Sequence, residues 1–389
     1  MALKKPVVYM GFGKELDAAN IVTLKRHYLP LGKIGGKPAW LNPIKLPSAD
    51  LISCKQCKKV MPMLLQIYCS GESTNSFHRY IYVFMCPNNA CQKTCNSDNF
   101  RVLRCQLPRQ NDFYGFERML NFEQDGEVDD PLFDAEKYAK LCNVCGALGT
   151  KMCARCRCTW YCTKDHQVID WKEGHKQCCQ EGKVIPKPED KDRFCAEKEN
   201  SFLFDELGVE LDLEEEREDT NSDEEEDDDE IEDEKMRQEL LKKAQNLMTK
   251  YDPKNEMNDL NECEESERDE KYFKFSKVLK RNCYQILRYN RGGEPLLATD
   301  HANAPSDVPP CGNCGSKRRF EFQLMPYLLS LIDIDDISSK VDYATVLIYT
   351  CSKDCDIKDF GYSEEFAFKQ DFIFTGQEEQ NYVEENDEN

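Results

Sequence analysis

Short apolar runs bounded by glycine, proline and polar clusters dominate both ends of the chain. Val7–Gly13 reads as a strand closing on Gly-Phe-Gly. Phe77–Met85, rich in aromatic and β-branched residues, reads as a buried strand after the apolar run Met61–Tyr68 and the polar loop Ser70–Ser76. Phe320–Leu331 and Tyr343–Thr350 have the same character near the other end. Runs this short, punctuated by turn-formers, predict strands. Helical spacing is confined to two stretches. Lys235–Tyr251 places Met236, Leu240, Ala244, Leu247, Met248 and Tyr251 on one side, with Pro253 beyond its end. Glu270–Tyr289 carries Tyr272, Phe273, Phe275, Val278, Leu279, Ile286 and Leu287, and is also expected to be helical. Val209–Leu213 alternates like an amphipathic edge strand. The spacing of Leu203, Leu207, Val209, Leu211 and Leu213 also matches a nuclear-export signal, but the strand is the preferred reading. The expected fold class is α+β, rich in β.

The two ends share a grammar. Gly35-Gly36-Lys37-Pro38 is mirrored by Gly292-Gly293-Glu294-Pro295, and eighteen residues separate the second glycine from the next cysteine in both copies, Gly36 to Cys54 and Gly293 to Cys311. The paired glycines permit positive φ and the proline stiffens the turn. A Cys-x2-Cys pair follows in each, then two strand-like runs, then a second cysteine pair. This is the order of a zinc ribbon, and it nominates Cys54, Cys57, Cys86 and Cys91 for one ion and Cys311, Cys314, Cys351 and Cys355 for another. Cys95 competes with Cys91 as the fourth ligand of the first. The offset between copies is 257 residues up to the Cys-x2-Cys pair and 264–265 at the later pair. We read this as an internal duplication: two ribbon-bearing β halves, each with an edge to protect, packed into one discontinuous pseudo-two-fold domain. The halves span 1–125 and 194–213 with 268–376.

Between them, Cys142–Cys179 holds eight of the 22 cysteines and two of the five histidines. Cys142/Cys145, Cys153/Cys156, Cys162/His166 and His175/Cys179 are four ligand pairs, enough for two closed tetrahedral zinc sites. So short a segment depends on metal for its folding, and zinc-finger peptides gain roughly 10–16 kcal/mol this way. Residues 138–182 are therefore expected to be a self-contained insertion, removable without unfolding the halves.

The net charge of −21 is concentrated in two places. Glu214–Glu234 contains sixteen acids and one base, Arg217, and 377–389 contains six acids and no base. Without these tracts, which carry −15 and −6, the remainder is neutral. No basic excess exists to displace counterions from phosphates, so direct nucleic-acid binding is disfavoured and a basic protein partner favoured. The segment 214–266 is expected to be a disordered acidic linker with a short helix. The N-terminal MALKKPVVYMGFGKEL is broken by charge and glycine, and runs such as Thr345–Tyr349 are too short to span a bilayer. A soluble, monomeric protein of cytoplasm and nucleus is expected, where paired cysteines signify metal rather than disulfides. The Gly-Phe-Gly-Lys at 11–14 lacks the rest of a phosphate-loop frame.

The central cysteine pairs, the Trp160-Tyr161-Cys162 string, His166-Gln167 and Asp170–Cys179 resemble the MYND zinc finger over its full length. The resemblance implies interleaved ligands: Cys142, Cys145, Cys162 and His166 on one ion, Cys153, Cys156, His175 and Cys179 on the other. Many members have cysteine where His166 stands. Cys158 and Cys178 are then spare, Cys178 being the rival to Cys179. MYND fingers recognise proteins, so the motif implies a partner and no chemistry. More widely, KIGGKPAWL, FHRYIYVFMC, RCQLPRQNDFY, QILRYNRGGEPL, FEFQLMP and LIYTCSKDC resemble the programmed cell death protein 2 family. That resemblance implies a β-rich TYPP domain and a dedicated chaperone. Its client would be one basic small-subunit ribosomal protein, the universal family-five member, escorted into 40S ribosome biogenesis. The long acidic insert departs from the family pattern. The alternative is a nuclear MYND scaffold or co-repressor binding proline-containing peptides. A lysine methyltransferase is disfavoured: no SET-type Asn-His-Ser string or glycine-rich cofactor loop occurs, and His27, His78 and His301 lie in no catalytic frame.

Overall fold

A computed structural model describes residues 7–15, 32–113, 138–180, 183–184, 200–214, 269–300, 305, 308–332, 334 and 339–372. The acidic tract after Glu214, the helix expected over Lys235–Tyr251 and the tail 377–389 lie outside the described residues. The strands, in chain order, begin with β1 (Tyr9–Lys14), β2 (Gly32–Ile34), β3 (Met63–Tyr68), β4 (His78–Met85) and β5 (Phe100–Leu107). Four two-residue strands follow in and beside the central finger: β6 (Lys151–Met152), β7 (Trp160–Tyr161), β8 (Cys179–Gln180) and β9 (Lys183–Val184). The last five are β10 (Leu207–Leu213), β11 (Gln285–Tyr289), β12 (Arg318–Leu324), β13 (Thr345–Cys351) and β14 (Tyr362–Gln370).

All but the short four close into one antiparallel barrel, in the order β1–β10–β2–β3–β4–β5–β14–β13–β12–β11 and back to β1. Two four-strand meanders, β2 to β5 and β11 to β14, meet along β5 and β14, where Cys105 faces Tyr362. The opposite seam is crossed. β1, which precedes the first meander, pairs with β11 of the second, while β10, which precedes the second, pairs with β2 of the first. The edges expected on two separate β units are thus given to each other within one ring.

Alternation along each strand sorts side chains between the barrel interior and its outer face. On β4, Ile81, Val83 and Met85 join Ile34, Phe322, Leu324, Val346 and Ile348 in the interior. Tyr80, Tyr82 and Phe84 point outward, beneath Trp40 and Leu41. Two glutamines anchor the loops that follow the paired glycines. Gln66 accepts from the Ala39 N–H at 2.9 Å and donates to its carbonyl at 3.0 Å. Gln323 does the same to Leu296, at 2.8 and 2.9 Å. Both members of the second clamp lie 257 residues after their counterparts, the offset of the glycines and cysteines. Gly35 has φ +58°, and a Cβ there would come within 1.9 Å of the Asp205 carbonyl, so the chain entering β10 passes where only glycine fits.

One element differs from expectation. The helix beginning at Glu270 ends at Arg281, and Gln285–Tyr289 is a strand. Ile286 and Leu287 continue the helical spacing, but as β11 they are buried on opposite faces of a strand, Leu287 in the barrel interior beside Leu324, and this strand closes the ring between β1 and β12. Tertiary pairing overrides local periodicity here. Among the described residues, no helix is long and apolar enough to cross a membrane.

Two buried ionic clusters stitch the halves together. Arg79 of β4 is fully buried and grips Glu321 with both terminal nitrogens, at 2.8 and 2.9 Å. Glu321 is the extra residue of a bulge in β12. Arg79 Nε lies 3.2 Å from Asp354, Thr350 and Tyr289 donate to Glu321, and Arg291 pairs with both acids. In the second cluster Glu365 of β14 receives Arg104 at 2.7 Å and Arg318 at 2.9 Å.

Candidate metal centres

Four groups of cysteine and histidine converge among the described residues, each with its ligand atoms within 4.8 Å of one another. They are Cys54, Cys57, Cys86 and Cys91; Cys142, Cys145, Cys162 and His166; Cys153, Cys156, His175 and Cys179; and Cys311, Cys314, Cys351 and Cys355. Cys91 stands in the first group. Cys95 lies outside it, its backbone N–H donating to Asp371. Cys158 and Cys178 belong to none of the four.

One local device builds every site. In each Cys-x2-Cys pair, the residue after the second cysteine returns its N–H to the first cysteine's carbonyl: Lys58 to Cys54, Gly146 to Cys142, Arg157 to Cys153 and Gly315 to Cys311, at 2.8–3.0 Å. All four closing residues have positive φ, between 58° and 71°. Glycine takes that conformation freely, whereas Lys58 and Arg157 are strained by on the order of 1 kcal/mol each, a small sum beside the free energy of zinc binding. The returning loop turns both sulfurs to the same side.

The distances suit zinc. Bonds of about 2.3 Å place tetrahedral sulfurs about 3.8 Å apart. Here Cys57 and Cys86 are 3.7 Å apart, Cys145 and Cys162 3.5 Å, Cys153 and Cys179 3.8 Å, Cys311 and Cys355 3.7 Å, and Cys314 and Cys351 3.6 Å. His166 turns Nδ1 toward Cys162 at 3.2 Å, and His175 turns Nε2 toward Cys153 at 3.4 Å. Sets of four thiols, or three thiols and an imidazole, are soft, closed ligand fields that select zinc for structure. Crowding alone polarises the thiols. Cys142 is held well below the ordinary thiol range, chiefly by hydrogen bonding with Cys145 and Cys162, while burial drives Cys145 above it.

Spacing does not reveal the groups that orient the ligands. Asp170 is buried in the helix Lys164–Asp170, accepts from Tyr161 OH at 2.7 Å and Asn143 at 2.9 Å, and lies 3.8 Å from His175 Nδ1. It thereby favours the tautomer that leaves Nε2 for the metal. Phe202 stands edge-on to His166 at 4.3 Å between ring centroids.

The finger packs against the barrel wall. Its cysteines, with Val144, Ala147 and Tyr161, share one apolar cluster with Trp40, Leu41, Tyr82 and Phe84 of the barrel wall. The Trp40 indole donates to the Gly146 carbonyl at 2.7 Å, and a Cβ on Gly146 would come within 3.1 Å of Lys37. Asn200 donates to the Val144 carbonyl from the other side. The C-terminal ribbon also reaches the barrel interior, because Asp354 lies between Cys351 and Cys355 and Arg104 donates to Cys355 Sγ at 3.5 Å.

Elemental analysis of the purified protein should find four zinc ions per chain. Cys54→Ser should remove one and unfold the first ribbon, while Cys158→Ser should leave four. A stoichiometry near two would eliminate both ribbon sites.

Comparison with known proteins follows the same divisions. The family model for the N-terminal domain of programmed cell death protein 2 matches residues 7–121, that for its C-terminal putative domain matches 269–371, and the MYND finger matches 142–179. Programmed cell death protein 2 of Bos taurus is 34% identical over 370 residues, covering 93% of this chain and 96% of its own. The Rattus norvegicus protein is 32% identical over 379 residues, covering 96% and 100%. A Schizosaccharomyces pombe protein named probable 20S rRNA accumulation protein 4 is 40% identical over 92 residues, 21% of this chain and 22% of its own. No solved structure matches. The chain belongs to the programmed cell death protein 2 family.

Proposed function

We propose that this protein is a binding protein without catalytic activity. It takes up a newly made basic protein of the small ribosomal subunit, the universal family-five member, in the cytoplasm and escorts it into 40S assembly in the nucleus. The observation that carries this reading is the relationship to the Schizosaccharomyces pombe protein whose name refers to 20S rRNA accumulation. Charge partition supports it. An unassembled ribosomal protein carries positive charge that RNA later neutralises, and a tract of −15 beside a neutral fold is a substitute for that RNA. The four zinc sites are closed, and thus structural. The finger, as a protein-recognition module, serves a further protein partner.

Capture of the native protein from cytosolic extract tests the reading. One co-purifying ribosomal protein is the expected result; recovery of chromatin regulators would favour the proline-peptide scaffold, and a methylated substrate would favour an enzyme. Changing the acids of Glu214–Glu234 to serine or glutamine should slow association with the ribosomal protein by about tenfold at low salt. It should also flatten the salt dependence, because exposed charges are screened over about 8 Å at physiological ionic strength. Stopped-flow association at two salt concentrations measures both. Identical on-rates and slopes would reduce the tract to a solubilising linker.

A further inference from the structure

The four zinc sites are alike in their ligands and unlike in their exposure. Of the sixteen ligands, only Cys314 is exposed; both finger sites are buried throughout, and Cys57 and Cys355 are half-buried. Gly312, Asn313 and Gly315 are exposed as well, so the first turn of the C-terminal ribbon stands in solvent. The Cys314 sulfur lies 3.6 Å from that of Cys351, which is buried. An accessible sulfur backed by a second one is the arrangement that peroxide oxidises to a disulfide.

The second turn of this ribbon, Cys351–Cys355, is tied to the other half of the barrel. Its Asp354 pairs with Arg79 of β4 at 3.2 Å and with Arg291. Gln106 of β5 donates to the Asp354 and Cys355 carbonyls, at 3.0 and 3.2 Å, and Arg104 of β5 donates to Cys355 Sγ. The Cys351 N–H donates to Glu365 of β14 at 3.1 Å. Asp354 itself has φ +46°, a conformation that residues other than glycine adopt at a cost, so the turn keeps it only while both its ends are held. The corresponding turn of the N-terminal ribbon, Cys86–Cys91, is bonded differently. Neutral amides of its own half take its carbonyls, Gln92 on Cys86 and Gln56 on Cys91.

We propose that Cys314 is a site of oxidation by hydrogen peroxide, and that its oxidation empties this one zinc site and loosens the seam between β5 and β14. The Cys314 sulfur attacks a peroxide oxygen; the O–O bond breaks, leaving a sulfenic acid and one hydroxide. The Cys351 sulfur then attacks Cys314, the S–O bond breaks, and a disulfide and a second hydroxide result. The two sulfurs together give up two electrons, peroxide accepts them, and the two hydroxides take up two protons as water. Cys311 and Cys355 alone do not make a closed tetrahedral site, so the metal is lost. Cys351 moves toward Cys314, the turn relaxes, and Asp354 and the Cys351 N–H leave Arg79 and Glu365. The barrel thereby reports the redox state of its surroundings at the join between its halves, whichever partner it carries.

The test treats full-length, zinc-loaded protein with hydrogen peroxide beside a zinc-responsive dye. Cys158→Ser is included in the chain, because Cys158 is an exposed thiol outside the four sites. One ion of four should be released about tenfold faster than the other three. Peptide mapping after that first phase should find a disulfide between Cys314 and Cys351. Hydrogen exchange at the same point should be about tenfold faster in β5 and β14, with β3 unchanged. Adding Cys314→Ser should give a chain that holds three ions and shows no fast phase. Release of all four ions at one rate, a first product in which Cys314 is still reduced, or a fast phase that survives Cys314→Ser overturns the site. Unchanged exchange in β5 and β14 after loss of the first ion overturns the link to the seam. If the Cys314→Ser variant misfolds, mapping of the chain that retains Cys314 decides the matter by itself.

Discussion

Arg79→Met should cost about 3–5 kcal/mol of stability, because it removes the buried cation that bridges the Glu321 and Asp354 carboxylates and leaves Arg291 as the main charge facing both. The double variant Arg79→Met with Glu321→Met should recover most of that loss, since removing both partners of a buried pair is far milder than removing one. Denaturant unfolding of the two single variants and the double gives the coupling directly. Additive losses would show that the pair does not act as a unit. Acid should act on the same pair. Burial raises the Glu321 carboxyl, but Arg79 and Arg291 more than reverse this and hold it at about 2, against 4.5 for a free glutamate. A depressed carboxyl contributes stability in full above the unfolded value and loses it as pH falls through the folded one. The advantage of wild type over Glu321→Gln should therefore be constant above about pH 4.5 and shrink toward pH 2. An advantage that does not change with pH would mean that the carboxylate is not the charged partner.

Replacing residues 138–182 with a short linker should destabilise the barrel by on the order of 3–6 kcal/mol, the burial of two large side chains. Trp40 loses its cover and its hydrogen bond to Gly146, and the Tyr82–Phe84 wall loses the apolar surface above it. Trp40→Phe isolates the smaller part, about 1 kcal/mol for the indole bond. Thermal unfolding of the two variants separates bond from cover. Unchanged stability on deletion would restore the finger to an independent module.

How much of this was readable depends on where the determining partner lies. Strands β3, β4 and β13 are legible because every residue that identifies them is apolar and local. β5 and β14 form the seam between the halves, yet their charges hide them. Arg101, Arg104, Glu364 and Glu365 interrupt the apolar pattern, and the partners that join them across the seam, Arg101 with Glu364 and Arg104 with Glu365, lie more than 260 residues apart in sequence. The same holds at the metal sites. Ligand spacing is short-range and survives in the sequence, so the ligand pairs could be nominated from it, with Cys95 left as a rival to Cys91 and Cys178 to Cys179 until the tertiary clusters placed Cys91 and Cys179. Asp170, Asn143 and Tyr161 act through a tertiary arrangement, and nothing about an aspartate at the end of a short helix announces it. β11 fails for the opposite reason: its local pattern is clear but belongs to another structure, and only pairing with β1 reveals the strand.

The crossed seam also has a consequence on the ribosome. β1 leaves the exit tunnel well before either of its neighbours, one of which ends at residue 213 and the other of which begins at residue 285. The first meander must likewise wait for β14, whose strand starts at residue 362, before β5 is covered. Pairings at such separations are slow to form, and strand edges left open meanwhile are prone to aggregate. Synthesis must therefore pass β14 before the ring can shut, and neither meander can complete it alone. Early termination anywhere before β14 would release a chain with unpaired strands, so this protein should itself depend on nascent-chain chaperones for its own maturation.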